Sequence, residues 1–150
     1  MNDLYNLQRF VDAQQSVFAG VLEELKHGSK RGHWMWFIFP QLKGLGRTAQ
    51  STFFGIASLQ EAAAYLQHPV LGPRLIECTQ LVSVVEDRSA EDIFGDMDAV
   101  KFRSSMTLFA NATPARAAPQ NQIFIDALEK YFAGESDPLT INYLRKQNSI

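Results

Sequence analysis

Three polar residues of a kind that can do chemistry, Asp98, Lys101 and Ser105, recur at steps of three and four positions. That spacing places them on one face of a helix. Phe102 and Phe109 fall on the same face and should turn it toward the core. A buried polar group costs free energy unless it is paired. The pattern therefore favours one of two arrangements: an Asp98–Lys101 ion pair with Ser105 bonded to its own helix, or the wall of a ligand site.

The candidate catalytic residues are His33, Lys101 and Ser105. Lys101 could bind an anion, and Ser105 could donate a hydrogen bond to it. Lys101 could also activate Ser105 as a nucleophile, but no glycine elbow surrounds that serine in the sequence. His33 is the best acid–base candidate, because an imidazole exchanges protons near neutral pH. The alternative for His33 is a hydrogen-bonded structural residue.

A second group of candidates lies in residues 28–48, where an apolar block, residues 34–39, separates two basic loops that contain glycine. No Asp or Glu occurs from residue 25 to residue 60. The cations of this acid-free span include Lys26, Lys30, Arg31, Lys43 and Arg47. A glycine loop that leads into a helix presents backbone N–H groups to an anion. Gly44 and Gly46 alone form neither a dinucleotide fingerprint nor a Walker loop. The span thus predicts an anionic small ligand without identifying it.

Further candidates are polar or aromatic residues next to apolar ones. Gln14 lies in the middle of an apolar helical face, so it must find a hydrogen-bond partner in the core or reach a ligand. Trp36 could stack on a ligand or simply pack in the core, and Gln41 directly follows the apolar block. The predicted ligand-binding residues are Gln14, Lys30, Arg31, His33, Trp36, Gln41, Arg47, Lys101 and Ser105.

Composition narrows the class of protein. A chain of 150 residues is most simply one domain, residues 1–150. The net charge of −2 argues against a protein that coats duplex nucleic acid. The N-terminus lacks the pattern of a signal peptide, and no apolar run approaches the roughly 20 residues that a membrane span needs. We therefore expect a cytoplasmic protein that does not bind membranes.

Neither a disulfide nor a metal site is predicted. Cys78 is the only cysteine, and its apolar helical context indicates a buried packing thiol rather than a nucleophile. The three histidines are scattered and lack metal-ligand spacing. The sequence also contains no cofactor-binding motif.

Helical periodicity dominates the chain and predicts an all-α fold of about seven helices. One of them carries Phe10, Val17 and Leu25 on a single face. Ser58 and Glu61 have the spacing of a capping box, and Asp137 is an N-cap before a proline. Residues 113–120 are predicted to form a loop. Periodicity does not decide whether residues 34–39 form a helix or a strand, although the lack of other strand-like segments favours a helix.

Residues 33–41 carry the distinctive string HWMWFIFPQ, followed by Gly44 and Gly46. Further motifs accompany it along nearly the whole chain: Phe10, Gln14, His68-Pro69, Leu71-Gly72, Arg74-Leu75, Ile93-Phe94-Gly95, Asp98, Lys101 and residues 104–109. In these motifs the chain resembles a bacterial family of uncharacterised proteins that is often called calpastatin. The resemblance implies a mainly helical single domain, and it brings no activity, cofactor or catalytic residue.

Three functions remain open at this stage. The first is a domain that binds an anionic metabolite, phosphorylated or nucleotide-like, in a basic pocket with an aromatic floor. The second is a hydrolase of a nucleotide or ADP-ribose-like substrate, with His33 and Lys101 in catalysis. The third is a protein-interaction module with an exposed apolar patch. Calpain inhibition does not fit, because calpain inhibitors are long, disordered and repetitive chains. The sequence leaves the oligomeric state and the pathway open.

Overall fold

The computed structural model describes residues 3–112 and 119–148. Within these ranges it contains ten helices and one isolated β-bridge. The helices are α1 (Gln8–Gln15), α2 (Phe18–Lys26), α3 (Met35–Ile38), α4 (Ala49–Phe53), α5 (Leu59–Gln67), α6 (Leu71–Ser83), α7 (Ala90–Phe94), α8 (Asp96–Ala110), α9 (Pro119–Phe132) and α10 (Pro138–Asn148). The all-α class is confirmed, with three more helices than expected because several are only one turn long. No helix of the described residues is long and apolar enough to cross a membrane.

The first predicted helix is interrupted after Gln15. Ser16 and Val17 separate α1 from α2, and Val17 is exposed rather than on the buried face. Serine and valine are weaker helix formers than the two glutamines before them, so a break here costs little. The break gives the two helices different partners, because α1 packs on α3 while α2 packs on α6.

The apolar block of residues 34–39 forms the short helix α3, as the sequence favoured. The helix ends before Pro40, which disfavours the α conformation in the preceding residue. Phe39 packs edge-on against Phe102 of α8, with ring centroids 5.0 Å apart. Just after α3, Leu42 and Ile56 pair as a parallel bridge. The apolar block thus fixes residues 40–42 against the core.

Side-chain caps start several helices where the sequence predicted them. Ser58 accepts the N–H of Glu61, but the Glu61 carboxylate accepts from Ala57 instead of returning to Ser58. The reciprocal capping box predicted there is therefore only half formed. A complete capping box joins Ser89 and Asp92 at the start of α7.

Helix α8 lies at the centre of the fold, in contact with α3, α5, α7, α9 and α10. Phe102 and Phe109 are fully buried on its inner face. Its first half faces α3, and Ser104 reaches the start of α10. Helix α8 therefore presents Lys101 between the apolar block and the last helix. Most of the predicted loop at 113–120 falls outside the described residues, and α9 begins at Pro119.

Candidate functional site

The first basic loop does bind a carboxylate, and that carboxylate belongs to the chain itself. Glu24 of α2 accepts the backbone N–H groups of Arg31 and Gly32 at 2.6 and 2.9 Å. The same oxygen, Oε1, accepts the indole N–H of Trp34 at 3.0 Å. Partial burial alone would raise the pKa of the Glu24 carboxyl, but these donors, with Lys30 nearby, hold the pKa below its usual value. The loop N–H groups that could have bound a ligand are thus already paired.

Two lysines share one aspartate where this loop meets α8. Lys30 lies 2.8 Å from Oδ2 of Asp98 and also donates to the carbonyl of Gly32. Lys101 lies 3.3 Å from Oδ1 of the same carboxylate. The ion pair expected between Asp98 and Lys101 is therefore present. The group of three side chains carries a net charge of +1, and its tighter contact is the one made by Lys30.

Lys101 also lies above the ring of Trp36, with its Nζ atom 6.0 Å from the ring centroid. Its side chain is 22% exposed. It lines two neighbouring cavities, both of which it shares with Gln41. We call the narrow one the aromatic slot; its lining includes Met35, Trp36, Phe39, Gln41, Phe54 and Lys101. The structure thus brings together three predicted site residues, Trp36, Gln41 and Lys101.

The second cavity, which we call the groove, has a volume of about 300 Å³. It is lined by Gln41, Leu45, Gly46, Met97, Val100, Lys101, Ser104, Asp137 and Leu139. Met97, Val100 and Leu139 are exposed on its rim. The groove therefore offers apolar walls with a few polar groups between them, as is typical of sites for small molecules.

Asp137 brings a carboxylate into this groove. It is the residue before α10, and its Oδ2 accepts from the backbone N–H of Thr140 at 2.9 Å. The Thr140 hydroxyl donates to the same oxygen at 2.6 Å. The single Ser104 hydroxyl proton is shared between this oxygen, at 3.2 Å, and the carbonyl of Val100, at 3.1 Å. The sequence identified Asp137 only as a helix cap. Its contribution to the groove could not be predicted, because the position of α10 beside α8 is a tertiary feature.

Gln14 does not reach either cavity. Its Nε2 donates to the carbonyl of Phe37 at 2.8 Å and to the Tyr65 hydroxyl at 3.1 Å, and its Oε1 accepts from Arg74. Burial raises the pKa of Tyr65 well above its usual value, so this hydroxyl stays protonated. These hydrogen bonds fit the core alternative for Gln14, which lines neither cavity.

Ser105 is fully buried, and its Oγ has no hydrogen-bond partner among the described residues. The expected bond to its own helix is absent there; the neighbouring Ser104 and Thr107 make such bonds instead, to Val100 and Arg103. Ser105 lines neither the slot nor the groove. The geometry does not support its role as a nucleophile activated by Lys101.

The other predicted cations and His33 lie outside the two cavities. Arg31, His33 and Arg47 are exposed. Arg31 borders a separate depression with Glu24 and His27. Lys30 lines neither cavity and acts on the groove only through Asp98. Of the nine predicted ligand-binding residues, Trp36, Gln41 and Lys101 line these two cavities and the other six do not.

Cys78 is buried, as its context predicted, and burial raises the pKa of its thiol to about 12. At neutral pH it is therefore a packing thiol and not a nucleophile. Among the residues that the structure describes, no three His, Cys, Asp or Glu side chains are grouped so that they could hold a metal ion.

The described part of the chain is all-helical, and its groove is a cavity of small-molecule size beside the half-buried Lys101. Residues 4–144 match the model of a family described as Protein of unknown function (DUF1810). The chain belongs to this family.

A solved relative has the same fold. The chain is 55% identical to the conserved hypothetical protein Rv1873 from Mycobacterium tuberculosis, of which there is a crystal structure at 1.38 Å. The match covers 95% of this chain and 99% of that chain, with a TM-score of 0.91. None of the curated proteins matches this chain significantly.

Proposed function

We propose that this protein binds a small anionic metabolite in the groove, with Lys101 as the cation that meets it. The observation that carries the proposal is the position of Lys101 itself. It lines both cavities, and it shares Asp98 with a second lysine that holds the carboxylate more tightly. Because the group keeps a net positive charge, Lys101 has donors to offer an incoming anion.

The neighbours of Lys101 suit such a ligand. The Gln41 side chain lines the groove beside Lys101 and adds an amide that can both donate and accept. Trp36 contacts Lys101 but lines only the aromatic slot, whose volume of about 10 Å³ leaves no room for a ligand ring. Phosphorylated and nucleotide-like compounds are the first classes to test, because their anionic groups suit a lysine. We expect the protein to bind this metabolite in the cytoplasm. Neither duplex nucleic acid nor a metal ion is part of this proposal.

A thermal-shift screen against phosphorylated and carboxylated metabolites tests the proposal. A compound at about 100 times its dissociation constant should stabilise the protein by roughly 2.7 kcal/mol. The variant Lys101→Met should lose this shift while still folding, because Lys30 continues to neutralise Asp98. Lys26→Met, which removes an exposed lysine far from the groove, should keep it. An equal shift in the Lys101 variant, or no shift with any compound, would contradict the proposal.

A protein-interaction module is the second candidate, and the exposed rim of the groove favours it. Met97, Val100 and Leu139 are 77%, 60% and 60% exposed, and such clusters of apolar side chains often mark contact surfaces. This candidate predicts no shift with any metabolite. It also predicts that an apolar fluorescent dye binds the native protein and that Met97→Lys abolishes this binding.

Hydrolysis has less support, because His33 lies outside both cavities. It remains testable by turnover of nucleotides or ADP-ribose-like compounds. Activity that disappears in a folded His33→Ala variant would support it.

A further inference from the structure

Two side chains of opposite charge line the groove. Lys101 is positively charged and Asp137 is negatively charged. Between and around them lie Met97, Val100 and Leu139. The cavity is therefore polar at two separate points and apolar elsewhere.

The carboxylate of Asp137 keeps one oxygen available. The residue is only 6% exposed. Within the described part of the chain, its three hydrogen bonds all reach Oδ2, from Ser104 Oγ, Thr140 N and Thr140 Oγ1. A carboxylate has room for further donors on its second oxygen. Because a helix cap needs only Oδ2 here, Oδ1 is left for a group that enters the groove.

We infer that the ligand is bipolar: one negatively charged group meets Lys101, an apolar body follows the walls, and a hydrogen-bond donor such as an amine meets Oδ1 of Asp137. This inference rests on the proposed function and names the ligand class of the same groove. Charge complementarity supports it. Lys30, Lys101 and Asp98 together offer one positive charge, and Asp137 adds one negative charge. A ligand with a single negative charge and a donor at its other end matches this balance. Among phosphorylated compounds, those with one charge on the phosphate should therefore bind more tightly than those with two.

The two charged residues lie close enough for one small molecule to meet both. Lys101 and Ser104 are three residues apart on α8, about 4.5 Å along the helix axis, and Ser104 Oγ lies 3.2 Å from the Asp137 carboxylate. A short flexible chain with a charge at each end is therefore a suitable probe, and 6-aminohexanoate has the required groups at its two ends. Hexanoate, which lacks the amine, and hexylamine, which lacks the carboxylate, are matched controls.

The experiment follows backbone amide NMR signals of the full chain while each of the three compounds is added. We expect 6-aminohexanoate to bind about tenfold more tightly than hexanoate, since a hydrogen bond between charged groups gives a difference of that order. Asp137→Asn should remove this advantage without weakening hexanoate binding, because it removes a negative charge from a groove that holds a carboxylate. Asparagine is also a good N-cap, so the start of α10 should be preserved. The comparison of the two compounds on the unmodified chain needs no variant at all.

The outcomes separate the two proposals. If hexanoate binds as tightly as 6-aminohexanoate and Lys101→Met weakens both, the bipolar ligand is wrong and the anion site stands. If the carboxylates bind equally well to the unmodified chain and to Lys101→Met, or not at all, both proposals fail. If hexylamine binds more tightly than 6-aminohexanoate, the groove is a cation site, which also overturns both.

Discussion

The indole nitrogen of Trp34 donates to Oε1 of Glu24 at 3.0 Å. This bond ties the end of α2 to the start of α3. The same oxygen accepts two backbone N–H groups from the loop between these helices. A single carboxylate from α2 therefore organises the basic loop that precedes the apolar block.

The first prediction concerns acid. The N–H donors hold the pKa of Glu24 below its usual value of 4.5 despite the opposing effect of burial. The charged form is thus favoured in the folded chain, so its contribution to stability is fully present above about pH 4.5 and is lost as the pH falls through the lower folded pKa. We expect Glu24→Gln to cost about 1 kcal/mol at pH 7, after allowance for solvent screening. The difference from the unmodified chain should shrink in acid.

Urea unfolding at pH 7 and at pH 3 measures this difference. The control is Glu23→Gln, because Glu23 is an exposed neighbour on the same helix. A difference for Glu24→Gln that is the same at both pH values would show that its charge is not involved.

The second prediction concerns the buried ion pair of Arg9 and Glu61. The two side chains are 9% and 5% exposed and 2.8 Å apart. Glu61→Gln leaves the Arg9 charge buried without a counter-ion, so we expect a loss of about 3 kcal/mol. Glu135→Gln breaks the exposed pair with Arg103 and should change stability by less than about 1 kcal/mol. Equal midpoints of chemical unfolding for the two variants would contradict this.

The third prediction compares two helical glycines. A Cβ added to Gly72 in α6 would lie 2.1 Å from the backbone oxygen of Leu66, whereas one added to Gly20 in α2 would meet nothing within 4 Å. Gly72→Ala should therefore destabilise the chain by about 2 kcal/mol or more. Gly20→Ala should stabilise it by roughly 0.5–1 kcal/mol, because alanine is the better helix former. Urea unfolding of both variants measures the two changes in the free energy of unfolding. If both changes have the same sign, the prediction is wrong.

The fourth prediction uses Cys78 as a reporter of unfolding. Burial raises the pKa of its thiol to about 12, so the reactive thiolate is scarce at pH 8 and the sulfur is also shielded. Alkylation by iodoacetamide should be slow in the native chain and should accelerate across the same urea range as the loss of helical circular dichroism. Rapid labelling of the folded chain would mean that α6 opens locally.

Local features of the chain were predictable from the sequence. The caps at Ser89 and Asp137 and the end of α3 before Pro40 depend on neighbours within a few residues. The break between α1 and α2 was missed, because the apolar spacing of Phe10 and Leu25 continues across it. Packing against different partners decides this break, and periodicity does not contain that information.

The candidate site was predictable only in part, for the same reason. Trp36, Gln41 and Lys101 meet as proposed, but the partners of Gln14 lie 23, 51 and 60 residues away in the sequence. The acid-free span also did not reveal that acids just outside it occupy its backbone donors. Glu24, directly before the span, accepts the N–H groups of Arg31 and Gly32, and Glu61, directly after it, accepts the N–H group of Ala57.

The bridge between Leu42 and Ile56 closes residues 43–55 into one segment. Two sets of hydrogen bonds hold the base of this segment. Lys43 and Ile56 supply backbone bonds to the carbonyls of Ile56 and Gln41, and Arg9 donates to the carbonyls of Phe53 and Gly55. Residues 47–50 at the far side of this segment are exposed. Leu45 and Gly46, which line the groove, belong to the same segment. The hydrogen bonds at its base therefore also hold one wall of the groove beside Gln41.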